Sequence, residues 1–180
     1  MDAATNLVLV GPMGAGKTSI GRRVAELLQL AFVDADRDIE LRTGVAVGTI
    51  FECEGEAGFR ARERAALSEL LAGDGQVIAT GGGAVLDAGN RERMRERGFV
   101  VHLDVDADVQ LQRLARDRVR PLLQRADREQ VLRDLGIQRA PLYAEVADLR
   151  FDTGGLTAVE AACALVRVLE GRWHRGSVAA

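Results

Sequence analysis

The chain has 180 residues, 47% hydrophobic and 28% charged, with a formal net charge of −3. That length suits one domain with a sizeable core, and the slight acidity argues against general nucleic-acid binding while allowing a local basic pocket. No apolar stretch approaches the roughly 20 residues of a membrane-spanning helix, and Met1–Thr5 lacks the basic and apolar regions of an export signal, so a cytoplasmic protein with no membrane partner is expected.

The first apolar run, Leu7-Val8-Leu9-Val10, reads as a buried strand near 6–10, and Ile20, Val24, Leu27 and Leu28 share one face of a helix over 17–29. Between them Gly11-Pro12-Met13-Gly14-Ala15-Gly16-Lys17-Thr18 fits G-x-x-x-x-G-K-[ST], a phosphate-binding loop. Its glycines let successive N–H groups turn inward as an anion nest, and the helix start adds its positive dipole end. Gly14, Ala15, Gly16, Lys17, Thr18 and Ser19 are therefore the candidate nucleotide-phosphate ligands. Lys17 is the only lysine among 24 basic residues. A compact ammonium threads beside a β,γ-phosphate pair where a planar guanidinium would not fit. The Thr18 hydroxyl is a candidate Mg²⁺ ligand.

A second strand, near 31–34, runs into Asp34-Ala35-Asp36. In an extended stretch residues two apart face the same way, which would converge both carboxylates on one site. One of them could then hold Mg²⁺ through its waters, and the other could accept a proton or hydrogen bond from a substrate hydroxyl. The alternative is that Asp36 caps the next helix. Helices are expected near 37–43, 47–53 and 57–72, the last bringing Arg60 and Glu63 onto one face. A strand near 76–80 ends in Gly81-Gly82-Gly83, where a ligand can approach bare backbone.

A helix near 89–97 and a strand near 99–104 follow, with His102 read as a structural residue of that strand. Helices are expected near 107–116, 127–135 and 139–147, and the segment from Arg113 to Arg139 holds eight arginines, interrupted at Arg120-Pro121-Leu122-Leu123. In a phosphate-loop kinase, an interrupted basic segment over about 113–128 reads as a mobile lid that excludes water. A strand near 148–152, a helix near 157–171 and a fraying tail from Gly171 to Ala180 complete the chain. Cys53 and Cys163 have no metal-ligating neighbours, as expected of thiols in a reducing compartment.

Alternating β and α elements imply a single α/β domain, a five-stranded parallel sheet flanked by helices, as in small P-loop kinases of the nucleoside-monophosphate-kinase type. Ligands in such sheets bind beyond the carboxyl ends of the strands, where the phosphate loop, Asp34, Asp36 and Gly81–Gly83 all fall. The substrate-binding helical region is read over about 35–64.

Taken together, these segments resemble the shikimate kinase family over nearly the whole chain. The resemblance is carried by the phosphate loop, Asp34-Ala35-Asp36, Ile50-Phe51 with Gly55-Glu56, Phe59-Arg60-Ala61-Arg62-Glu63, Thr80-Gly81-Gly82-Gly83, Arg120-Pro121-Leu122-Leu123 and Arg139-Ala140-Pro141-Leu142-Tyr143. It implies transfer of the γ-phosphate of ATP to the 3-hydroxyl of shikimate, with Mg²⁺ as cofactor. By the same resemblance Lys17, Asp36 and Arg120 are catalytic, and Arg113 stacks on adenine. Asp36, Arg60, Gly81, Gly82, Gly83 and Arg139 bind shikimate, with Glu63 orienting Arg60. Thr18 and, through water, Asp34 hold the metal. The loop after the last strand, Asp152-Thr153-Gly154-Gly155-Leu156-Thr157, departs from the family by lacking a proline seen in some members. A monomer is expected. The rival readings are a gluconate kinase of the same fold, a nucleoside monophosphate kinase, an inactive kinase and a nucleotide-binding switch with no small acceptor.

Overall fold

A computed structural model describes residues 5–115 and 127–174. Its elements run β1 (Asn6–Val10), α1 (Lys17–Leu28), β2 (Ala31–Asp34), α2 (Ala35–Thr43), α3 (Val47–Ala72), β3 (Gln76–Ala79), a 3-10 turn (Ala84–Leu86), α4 (Ala88–Arg97), β4 (Gly98–Asp104), α5 (Ala107–Leu114), α6 (Arg128–Val146), β5 (Leu149–Asp152) and α7 (Ala158–Glu170). The strands form one sheet in the order β2-β3-β1-β4-β5. Every pairing is parallel, with Val8 opposite Ile78 on one side and Val100 on the other.

β1 lies at the centre, and all five of its residues are buried. Successive side chains of a strand point to opposite faces. Leu7 and Leu9 accordingly join the layer of α1 and α7, with Val24, Ala162 and Leu165. Val8 and Val10 join the layer of α3, α4 and α6, with Leu67, Met94 and Tyr143. A buried side chain of this size contributes roughly 1.5–3 kcal/mol, and Leu9→Ala would cost about 2–5 kcal/mol once its cavity is counted. The two layers fix the carboxyl ends of β1, β2 and β3 at a common edge, which is where the phosphate loop and the glycine run emerge.

The structure departs from the sequence reading in several places. The chain enters α2 at Ala35, so Asp36 stands in a first helical turn and not in an extended stretch. The expected break within 47–72 is a single residue, Gly55, with φ 70° and ψ −176°. The two helices expected over 127–147 are one, α6, with Pro141 inside it. Proline there removes only the bond to the carbonyl of Ile137, an exposed residue. Leu132, Tyr143 and Val146 on the buried side keep the helix together. Past α7 the chain stays packed where fraying was expected: Trp173 is buried and lies against Phe99, ring centroids 6.3 Å apart. Of the lid, residues 116–126, and so Arg120, lie outside the described residues, as do 175–180 of the tail. Among the described residues no helix is long and apolar enough to cross a membrane.

Candidate active site

The phosphate loop joins β1 to α1. Gly14 and Gly16 hold φ of 78° and 93°, values that only glycine adopts readily. Gly16 is the N-cap of α1 and supplies no side-chain cap, and the first turn carries no acidic residue. The helix start therefore presents uncapped N–H groups and a positive dipole end toward the loop. The Lys17 ammonium donates to the carbonyls of Gly11 and Pro12, both at 2.8 Å, which lays it along the loop.

Asp34 and Asp36 take separate duties. Asp34 Oδ2 accepts from the Thr18 hydroxyl at 2.6 Å, and its Oδ1 accepts from the N–H of Arg37 at 3.2 Å. The capping carboxylate of α2 is thus Asp34, not Asp36. Asp36, two residues on in a helical turn, points away to the glycine run: a β carbon built on Gly81 would stand 2.9 Å from its Oδ1 and 2.8 Å from Glu63 Oε1. The α2 start therefore splits the pair, one carboxylate on the phosphate loop and one on the acceptor side.

The glycine run is where the remaining candidates gather. A β carbon on Gly82 would lie 3.5 Å from Arg139 Nη1 and 3.5 Å from the Gly11 carbonyl. On Gly83 it would lie 2.7 Å from Arg60 Cζ and Nη1. Side chains at these positions would fill the space the charged groups occupy. Arg60 donates to Glu63 at 2.6 Å and also pairs with Glu56 at 3.3 Å. Glu63 is only 1% exposed, and burial pushes its carboxyl above the usual range against the pull of Arg60. Arg139 is 9% exposed, and its buried Nε has no hydrogen-bond partner among the described residues. One turn further along α6, Tyr143 donates its hydroxyl to the Gly82 carbonyl at 2.6 Å, and burial lifts its phenol to about 12.

Arg113, at the end of α5, crosses to the loop after β5. It donates to the carbonyl of Gly14 at 3.0 Å, to Thr153 Oγ1 at 3.0 Å and to the Thr153 carbonyl at 2.6 Å. It ties the phosphate loop to the segment after β5. Ser19 is exposed on the first turn of α1. Among the catalytic candidates only Arg120 falls outside the described residues.

Sequence reasoning passed over Gln110, which is buried and donates to the Met13 carbonyl at 2.7 Å. It took Tyr143 only as part of a motif. A glutamine three residues before Arg113 carries no motif signal. A tyrosine following an arginine at i+4 was the one available hint that both serve the same face.

Comparison with known proteins bears on the family and the fold. The sequence profile of the shikimate kinase family matches residues 13–170. A shikimate kinase from Stenotrophomonas maltophilia strain K279a is 57% identical over 175 residues, 97% of each chain. In three dimensions the fold matches a shikimate kinase from Acinetobacter baumannii in complex with shikimate, with a TM-score of 0.90 and 48% identity over 94% of this chain and 95% of that one. A gluconokinase from Sinorhizobium meliloti matches with a TM-score of 0.59 and 21% identity over 95% and 97% of the two chains, a likeness of fold alone.

Proposed function

The chain belongs to the shikimate kinase family, and from that premise we propose how its own residues divide the transfer of the γ-phosphate of ATP to the 3-hydroxyl of shikimate. The observation that carries the proposal is the glycine run. Asp36, Arg60 and Arg139 border Gly81–Gly83, and a β carbon on Gly82 would also stand 3.5 Å from the Gly11 carbonyl and 3.6 Å from the Met13 amide nitrogen of the phosphate loop. An acceptor on one side of that backbone and a triphosphate on the other would meet across it.

Lys17 and the loop amides of Gly14, Ala15, Gly16, Thr18 and Ser19 bind the phosphates of ATP. Arg113, held against Thr153, borders the base. Arg60 and Arg139 take the shikimate carboxylate, a task suited to the guanidinium fork. The orphaned Nε of Arg139 marks a donor still in need of an acceptor. Glu63 holds Arg60 in register from below. Asp36 accepts a hydrogen bond from the 3-hydroxyl and takes its proton as the new P–O bond forms and the bond to ADP breaks. Arg120 is assigned to the moving phosphoryl group on the family resemblance.

The Thr18 hydroxyl and the Asp34 carboxylate, 2.6 Å apart, are hard oxygen donors and suit an ion that uses few protein ligands and keeps its waters. Bound there with ATP, Mg²⁺ would neutralise charge on the β- and γ-phosphates. Transfer through a loose transition state needs alignment and charge neutralisation more than covalent help: Arg60, Arg139 and the fixed glycine backbone would align the acceptor, and Lys17 with Arg120 would neutralise the phosphoryl charge. The protein is proposed to work in the cytoplasm as a monomer, without nucleic-acid or membrane partners.

Asp36→Asn tests the assignment. The amide keeps the size of the side chain and loses the proton acceptor. Shikimate-dependent turnover should fall by about 10²–10⁴-fold while ATP binding, followed by fluorescence of a nucleotide analogue, is retained. Turnover within a few-fold of wild type would remove Asp36 from the reacting hydroxyl.

A further inference from the structure

His102 has no part in the chemistry above, yet it stands where the two halves of the site meet. It pairs with Val10, the last residue of β1 before the phosphate loop. It is 6% exposed, and its Nε2, buried without a hydrogen bond among the described residues, lies 3.8 Å from Asp104 Oδ1. A β carbon on Gly11 would stand 3.6 Å from its Cδ2, so the imidazole backs the first residue of the loop. The ring stacks on Tyr143, with centroids 4.8 Å apart and planes 24° from parallel.

From Tyr143 the contacts return to where they began. Its hydroxyl donates to the Gly82 carbonyl at 2.6 Å. Gly82 in turn faces Gly11, whose carbonyl would be 3.5 Å from a β carbon there. The Gly11 carbonyl accepts from Lys17. Strand pairing, ring stacking and one hydrogen bond thus link the start of the phosphate loop to the acceptor loop in one circuit, Val10–His102–Tyr143–Gly82. The charges facing the imidazole are Asp104 on its own strand, Arg150 on β5 and Lys17 at the start of α1, with Tyr143 and Arg139 on α6 beyond the stack. Two cations against one carboxylate, in a buried space, suit a neutral ring.

We propose that the stacked pair His102–Tyr143 is a positioning device that sets the spacing between the phosphate loop and the acceptor loop. It therefore governs the transfer step more than affinity for either substrate. Misplacement by about 1 Å can cost a transfer reaction 10²-fold. A pair linked to both loops would control that distance without being one of the residues assigned to either ligand. The inference rests on the acceptor site proposed above.

The test uses Tyr143→Phe, His102→Ala, His102→Phe and the double variant His102→Ala/Tyr143→Phe. Wild type is assayed first, with shikimate-dependent ADP release as the control. If it shows none, the acceptor reading fails and this inference falls with it. Given that activity, Tyr143→Phe, which loses one hydrogen bond, and His102→Ala, which loses the stacked ring that holds Tyr143, should each lower kcat about tenfold, with KM for ATP and for shikimate within about threefold of wild type. His102→Phe restores a stacking ring and should recover most of the loss. The double variant should be no worse than the poorer single one, because both break the same circuit. Tyr143→Phe removes one oxygen and leaves the ring, so it decides the matter even if His102→Ala does not fold. Unchanged kcat in Tyr143→Phe, a loss carried by the shikimate KM alone, or no recovery in a folded His102→Phe would each overturn the proposal.

Discussion

Adding a single methyl group at Gly83 tests the acceptor site without replacing any charged residue. Gly83 has φ −99° and ψ 0°, a bridge conformation outside the left-handed region that favours glycine, so alanine can occupy it at modest backbone cost. The new β carbon would stand 2.7 Å from Arg60 Cζ and Nη1, against the 3.4 Å where ordinary contact begins. The guanidinium must therefore retreat by 3.4 − 2.7, at least about 0.7 Å. It can do so by swinging on a flexible stem, so the fold should be little affected, with a Tm within a few degrees of wild type. The cost falls on geometry. The retreat disturbs the 2.6 Å bond to Glu63 and displaces the fork from the shikimate carboxylate. A charge-assisted hydrogen bond is worth about 1.5–3 kcal/mol, so the shikimate KM should rise roughly 10- to 100-fold. The KM for ATP should stay within about threefold, because the phosphate loop meets Gly82 and not Gly83. Initial rates with shikimate varied at saturating ATP, then the reverse, read both constants. An unchanged shikimate KM in a folded Gly83→Ala variant would mean that Arg60 does not hold the carboxylate from this position.

Further outcomes are expected. Lys17→Ala should remove detectable transfer while circular dichroism shows a native fold; near-normal turnover would overturn its phosphate role. Arg139→Lys should raise the shikimate KM far more than that of ATP, because an ammonium cannot reproduce the two-pronged contact. Equal effects on the two constants would move the carboxylate elsewhere. The pH dependence of stability should report His102, whose imidazole burial holds below its ordinary 6.5. As pH falls through about 6.5 the unfolded chain takes up that proton first, so the native state loses stability on acidification. Glu63, raised by burial, works in the opposite sense, but it is common to wild type and His102→Phe and cancels in their difference. The Tm of His102→Phe relative to wild type should therefore climb between pH 7 and pH 5, and parallel curves would contradict the buried, neutral assignment.

The elements that bury continuous apolar runs were the most legible. β1 and β2 begin and end where the sequence places them, because Leu7–Val10 and the short run before Asp34 have turn residues or charges at their ends. The phosphate loop was legible for a different reason: glycines at fixed spacing before a helix have few other uses. What failed were inferences about local direction. Asp34 and Asp36 looked paired because an extended chain alternates, but Asp34 caps the next helix, and the turn that follows sends Asp36 to the glycine run. A break was expected between 135 and 139, yet tertiary burial of Leu132, Arg139, Tyr143 and Val146 carries one helix from Arg128 to Val146. His102 was read as an ordinary strand residue because nothing local marks it. Its neighbours Tyr143 and Gly11 are 41 and 91 positions away, and only the parallel sheet brings them together.

The most direct measurement of the central claim is ADP release from ATP and Mg²⁺ with shikimate, with gluconate and with no acceptor, joined to identification of the phosphorylated product. Release that requires shikimate and yields the 3-phosphate is the predicted result, with Asp36→Asn and Arg139→Lys both depressing it. Release with gluconate and not with shikimate would contradict the assignment of the pocket bounded by Asp36, Arg60 and Arg139, while leaving the phosphate loop and the fold intact.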